Sequence, residues 1–199
     1  ATRVRNGKVT DIGGQDWIFP DEAECLRCHT AVAGVALGPE TSQMNRDFTY
    51  PQTGRTDNQL VTYDAVSMFA SPLAGDPATL PAMPDPMAET ADLGSRARAY
   101  LHTNCAACHQ PGGPTPVNLD LRYTTELANT NACDIAPTSD DLGVNMARII
   151  APGDASRSVL VLRTGLRDTN AMPPLGSTVV DANGVTLLTD WVNSLANCN

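Results

Sequence analysis

Cys105-Ala106-Ala107-Cys108-His109 and, eighty positions earlier, Cys25-Leu26-Arg27-Cys28-His29 are two copies of one five-residue pattern. The spacing is that of a c-type haem attachment signature. Two thiols three positions apart add across the two vinyl groups of one porphyrin, and the adjacent histidine is then held under the ring to bind iron axially. The duplication therefore predicts two haem c groups, one on Cys25 and Cys28 with His29 as proximal ligand, the other on Cys105 and Cys108 with His109. A zinc knuckle or a pair of disulfides is the competing reading of such cysteines. Zinc needs four ligands gathered locally, whereas each cluster offers two thiols and one histidine.

Composition narrows the class of molecule. The chain has 199 residues, enough for one medium domain or two small ones. Only 5% of its residues are aromatic, thin for two protein cores, unless each porphyrin supplies a large apolar ring of its own. No apolar run approaches the roughly 18 residues needed to cross a bilayer, so no transmembrane segment is expected. Covalent haem and surplus cysteines suit an oxidising, exported compartment, and the chain reads as a mature periplasmic protein whose signal peptide has been removed. Net charge is −9. Nucleic acid and anionic membranes are poor partners for such a surface, which favours a redox protein with a basic docking patch.

Of six cysteines, the two motifs claim four and leave Cys133 and Cys198. An even pair in an oxidising compartment reads as a disulfide tying the C-terminal region to an internal loop. The alternative is a thiolate haem ligand of the kind certain sulfur-oxidising haem proteins use.

Along the chain, residues 1–19 read as an irregular lead-in containing Gly13-Gly14 and the apolar Trp17-Ile18-Phe19. Pro20-Asp21-Glu22 opens a short acidic helical turn into Cys25. Residues 57–69 carry a helical apolar spacing, and five prolines from Pro72 to Pro86 exclude regular structure after it. Residues 88–104 form the clearest helix, with Ala91, Leu93, Ala97, Tyr100 and Leu101 on one stripe, feeding straight into Cys105. Further helices are expected over 140–150, 156–163 and 181–196. No strand pair is expected, although Thr178-Val179-Val180 is β-prone.

This layout resembles the class I c-type cytochromes, and in particular tandem diheme cytochromes built from two such units. The residues that carry the resemblance are the motif at the end of a helix, a proline loop after the histidine, middle helices, Met172 in a loop and the closing helix with Trp191. The second half matches each step, while the first has no separate closing helix. The resemblance implies an all-α fold of two small cytochrome c-like helical domains, each wrapped around a haem, with boundaries at 1–87 for an abbreviated first unit and 88–199 for the second.

It also implies the sixth ligands. Histidines number three, and with His29 and His109 taken, bis-histidine ligation of both haems is impossible from within the chain. His102, three residues before Cys105, reads as a solvated helix histidine. Methionine remains. Met172, in Ala171-Met172-Pro173, stands at a separation from His109 like that of the family, and Met83, in Ala82-Met83-Pro84, repeats the tripeptide for the first haem. Met44 is the rival for that position, Met87 a short-range substitute, and Met68 and Met146 read as core fillers.

The function these residues imply is electron transfer between periplasmic redox partners, without substrate turnover. The alternatives are a diheme peroxidase or sulfur-compound oxidase with one open or labile haem site, and the haem subunit of a larger dehydrogenase.

Overall fold

The computed structural model describes residues 4–199. In chain order it contains β1 (Lys8–Ile12), β2 (Gln15–Phe19), α1 (Glu22–Cys25), α2 (Thr41–Met44), β3 (Asp47–Tyr50), β4 (Arg55–Asn58), α3 (Gln59–Ala65), α4 (Leu93–Cys105), α5 (Val159–Thr164) and α6 (Ala182–Ser194), with short 3₁₀ turns between. The expectation of an all-α chain is therefore corrected: the fold is mixed, with two separate antiparallel two-stranded sheets.

Both hairpins lie in the first half, and their turns explain them. Ile12 pairs with Gln15 across the two-residue loop Gly13-Gly14, whose φ values are +67° and +85°. Two consecutive positive φ angles match the right-handed strand twist and are open to glycine without strain. In the second hairpin Tyr50 pairs with Arg55 around residues 51–54, the Thr49 and Thr56 hydroxyls meet at 2.7 Å, and the Phe48 and Tyr50 rings pack edge-on. Neither hairpin buries a face, so no alternation of buried and exposed residues marks them. Residues 178–180 form no strand; Val179 instead offers its carbonyl to the Arg167 guanidinium at 2.8 and 3.0 Å.

The apolar core belongs to the second half. It centres on α4 crossing α6, with Ala97, Tyr100, Leu101, Leu188, Trp191 and Val192 buried together. The crossing is close because residue 184 lacks a side chain: a Cβ there would meet the Tyr100 hydroxyl oxygen at 2.2 Å. That hydroxyl donates to Asp181 at 3.0 Å, and Asp181 also caps α6 by accepting from the Gly184 amide at 3.0 Å. Residues 140–150 are a string of turns and not the expected helix. The carboxylates of Asp140 and Asp141 accept from the amides of Leu142 and Gly143 at 2.8 Å each, a local pairing that competes with helical bonds, and Leu142 and Met146 adopt φ of +58° and +52°.

The first half has a polar centre. Asn45 is buried, its Nδ2 donating toward the carbonyls of Pro77, Leu80 and Pro81 while its Oδ1 accepts from Asn58. One side chain thereby gathers the proline-rich passage onto β4. Among the described residues no helix is long and apolar enough to cross a membrane.

Candidate functional site

The repeated sequence is a repeated local structure. The Cys25 carbonyl accepts from the amides of Cys28 and His29 at 3.2 and 3.0 Å, and the Cys105 carbonyl accepts from those of Cys108 and His109 at 3.1 and 2.8 Å. Each motif is thus a helical turn that places both cysteines on one side and carries the histidine just beyond. The first turn is started by a capping box between Asp21 and Glu24, the second by the long helix α4.

His29 is held in one orientation. Its Nδ1 lies 2.6 Å from the Val35 carbonyl oxygen, and since a carbonyl only accepts, Nδ1 carries the proton and Nε2 keeps its lone pair. Val35 reaches that position at φ +66°, a strained conformation for a β-branched residue, beside Gly34 at +78°. Around this histidine Leu26, Val32, Val35 and Leu37 stand exposed.

At the second motif Nδ1 of His109 is buried with no hydrogen-bond partner, and burial lowers the pKa of the ring, keeping it neutral. The loop beside it is built by charge. Leu121 donates its amide to the His109 carbonyl at 2.9 Å, and its neighbour Asp120 accepts from Nε and Nη2 of Arg122 at 2.8 and 2.6 Å and from Thr125 at 2.8 Å. Helix α4 grips the same loop: Arg98 donates to the carbonyls of Arg122, Tyr123 and Thr125, and His102 Nδ1 accepts from the Tyr123 amide at 3.1 Å. His102 is therefore not the solvated residue expected. Its side chain is 11% exposed, and Nε2 faces Glu40 of the first half at 3.2 Å.

Paired hydrogen bonds with Arg122 hold the Asp120 carboxyl down to about 2, below its ordinary 3.8. Because the folded value is the lower one, the stabilisation is complete above pH 4 and is lost as pH falls from about 4 to 2. Asp120→Asn is expected to remove about 1 kcal/mol at pH 6 and almost nothing at pH 2, the partial exposure of Arg122 keeping the figure modest. Denaturant titrations of both proteins across that range provide the check.

The four motif cysteines are free thiols. Burial pushes Cys105 up to about 12, and burial together with the Cys28 contact pushes Cys108 up to about 11. The two motifs touch: Cys108 Sγ lies 3.5 Å from Cys28 Sγ and 3.7 Å from the Arg27 carbonyl oxygen. Among the described residues no group of three His, Cys, Asp or Glu side chains is disposed to hold a bare metal ion. Two cysteines one turn apart, a histidine with Nε2 free in one copy and a buried, unpartnered ring nitrogen in the other, together with exposed apolar side chains, form a donor set that fits haem c.

The methionines sort by location. Met83 is buried, with its amide donating to the Ser42 carbonyl at 2.8 Å, and it shares with Met44 one cleft of about 350 Å³, walled by Tyr63 and by Ala99, Thr103 and Asn104 of α4. The two rivals thus converge on one place. Met172 is half-buried, its amide anchored to the Arg163 carbonyl of α5 at 3.0 Å. Met87 is exposed, and Met68 and Met146, at 67% and 65%, are not core fillers. Cys133 and Cys198 form a disulfide with Cα atoms 5.7 Å apart, which leaves neither sulfur free as a thiolate ligand.

Comparison with protein-family models, curated proteins and solved structures finds no match. The supporting residues Val35, Arg98, Asp120 and His102 in its bridging role carry no motif; only the short separation of Asp120 and Arg122 hints at a local ion pair.

Proposed function

We propose that the chain is a diheme c-type electron-transfer protein of the periplasm, holding one haem through Cys25, Cys28 and His29 and a second through Cys105, Cys108 and His109. The observation that carries this reading is the meeting of two identically folded motifs, with the second sulfur of each 3.5 Å from the other. Each haem iron, when bound, supplies a one-electron ferric–ferrous couple.

The rest is done by the chain. Val35 holds His29 so that Nε2 presents its lone pair, and a hydrogen-bonded Nδ1 makes that nitrogen a better donor. The Asp120 network and the Arg98 and His102 contacts fix the backbone beside His109. Met172 would provide the second thioether ligand, and either Met83 or Met44, which line one cleft, the first. The abutting motifs support direct exchange of electrons between the two sites. With net charge −9, the fitting partner is a redox protein with a basic docking surface.

Production of the full chain in a host with haem-attachment machinery tests the reading. The intact mass is expected to exceed that of the polypeptide by two haem masses, and neither ferrous iron is expected to bind carbon monoxide readily. A single added haem overturns the diheme assignment. Ready carbon monoxide binding at one iron moves the reading to the enzyme alternative, with an open sixth position.

A further inference from the structure

The contact between the motifs is itself a reactive arrangement. Cys25 is exposed and Cys105 packs against the core, so the sulfurs that face each other are the second of each pair, Cys28 and Cys108. Their approach is held from two sides. Beside the 3.5 Å sulfur contact, Cys108 meets the Arg27 carbonyl, and the loops after the motifs touch where Val32 stands within 3.4 Å of the place a Cβ on Gly112 would occupy. A disulfide bond is about 2.05 Å long, so closing it asks for a sulfur displacement of roughly 1.5 Å. The Cys133–Cys198 bond in the same chain marks an environment in which such bonds persist.

We propose that the haem-free chain forms a Cys28–Cys108 disulfide joining its two attachment motifs. A disulfide oxidant, oxidised glutathione or a thiol–disulfide oxidoreductase, supplies the electron acceptor. One cysteine sulfur attacks the oxidant, forming a mixed disulfide and releasing one thiol; the second sulfur displaces the other half. Two S–H bonds are lost, one S–S bond forms, and two protons and two electrons leave with the oxidant, now two thiols. The crosslink spans 80 positions and withdraws one sulfur from each motif, so reduction must precede attachment at either. The inference concerns the haem-free chain and does not depend on haem being taken up later.

Full-length chain made without haem attachment is exposed to oxidised glutathione, alkylated and digested with trypsin. Cleavage after Arg27 separates Cys25 from Cys28, and fragmentation of the joined peptide shows which of Cys105 and Cys108, both in 99–122, carries the alkyl group. The expected product joins the peptide 28–46 to the peptide 99–122, with Cys25 and Cys105 alkylated. Cys108→Ser is expected to abolish this product and leave Cys28 alkylated, and oxidation in guanidinium is expected to shift pairing to the local Cys25–Cys28 bond. A native product joining 9–27 to 28–46 overturns the proposal, as does full alkylation of Cys28 and Cys108. Identical products from native and denatured chain overturn it too, because the pairing would then owe nothing to the fold.

Discussion

Replacing both Cys133 and Cys198 by alanine is expected to cost the protein roughly 4 kcal/mol, the entropy of a denatured chain freed from a closed loop of this length. The bond spans 65 positions. Cys133 lies in a segment that trades backbone hydrogen bonds with Ile150, through the Ile150 amide to Ala132 and the Asp134 amide to Ile150, and Cys198 follows α6. Cutting the bond leaves these contacts intact in the folded state while the denatured ensemble expands. A denaturant titration should therefore show a lower midpoint together with a steeper slope. A loss below about 1 kcal/mol would show that residual structure already restricts the denatured chain, removing most of the entropy the disulfide would otherwise claim.

On the proposed diheme reading, Met172→Ala is expected to lower the reduction potential of one haem by an amount on the order of 0.1 V, because a thioether ligand favours ferrous iron and its loss removes that preference. The segment is already committed to the folded body by the Met172 amide on α5 and by the Arg163 guanidinium on the Asn170 carbonyl at 3.2 Å. The alanine variant should keep its fold and change only its spectrum and potential. On the same reading the first haem is expected to behave differently. Met83 and Met44 line the same cleft, so either single variant is expected to give a smaller change than Met172→Ala, and the double variant a full loss of thioether ligation. Spectroelectrochemical titration of the four proteins separates these outcomes. An unchanged first haem in the double variant removes both methionines from the ligand set.

What the sequence made readable was chemistry at fixed spacing. The two motifs, α4 and α6 stand close to where spacing and apolar pattern put them: α4 runs Leu93–Cys105 because Asp92 caps it, against an expected 88–104, and α6 runs Ala182–Ser194 behind Asp181, against an expected 181–196. The hairpins leave little trace in the sequence because their strands expose nearly every side chain, and the turn Gly13-Gly14 alone does not distinguish a hairpin from an irregular lead-in. The 140–150 stretch has apolar residues at helical spacing, but its two leading aspartates spend their carboxylates on adjacent amides. At the site, residues in direct sequence contact with the motif were legible, and those that reach it through space were not. Val35 acts through a carbonyl that any residue possesses, and His102 meets Glu40 across 62 positions, a pairing that no local pattern encodes.

Helix α4 has two employments. Its Tyr100 and Leu101 side pins it to α6, while Ala99, Thr103 and Asn104 wall the cleft of the other half. The second half owns all of its core and could be inherited as a unit. The first half borrows a wall, and a gene fragment ending before Leu93 would encode a cleft open along one side. The two halves are thus tenant and landlord.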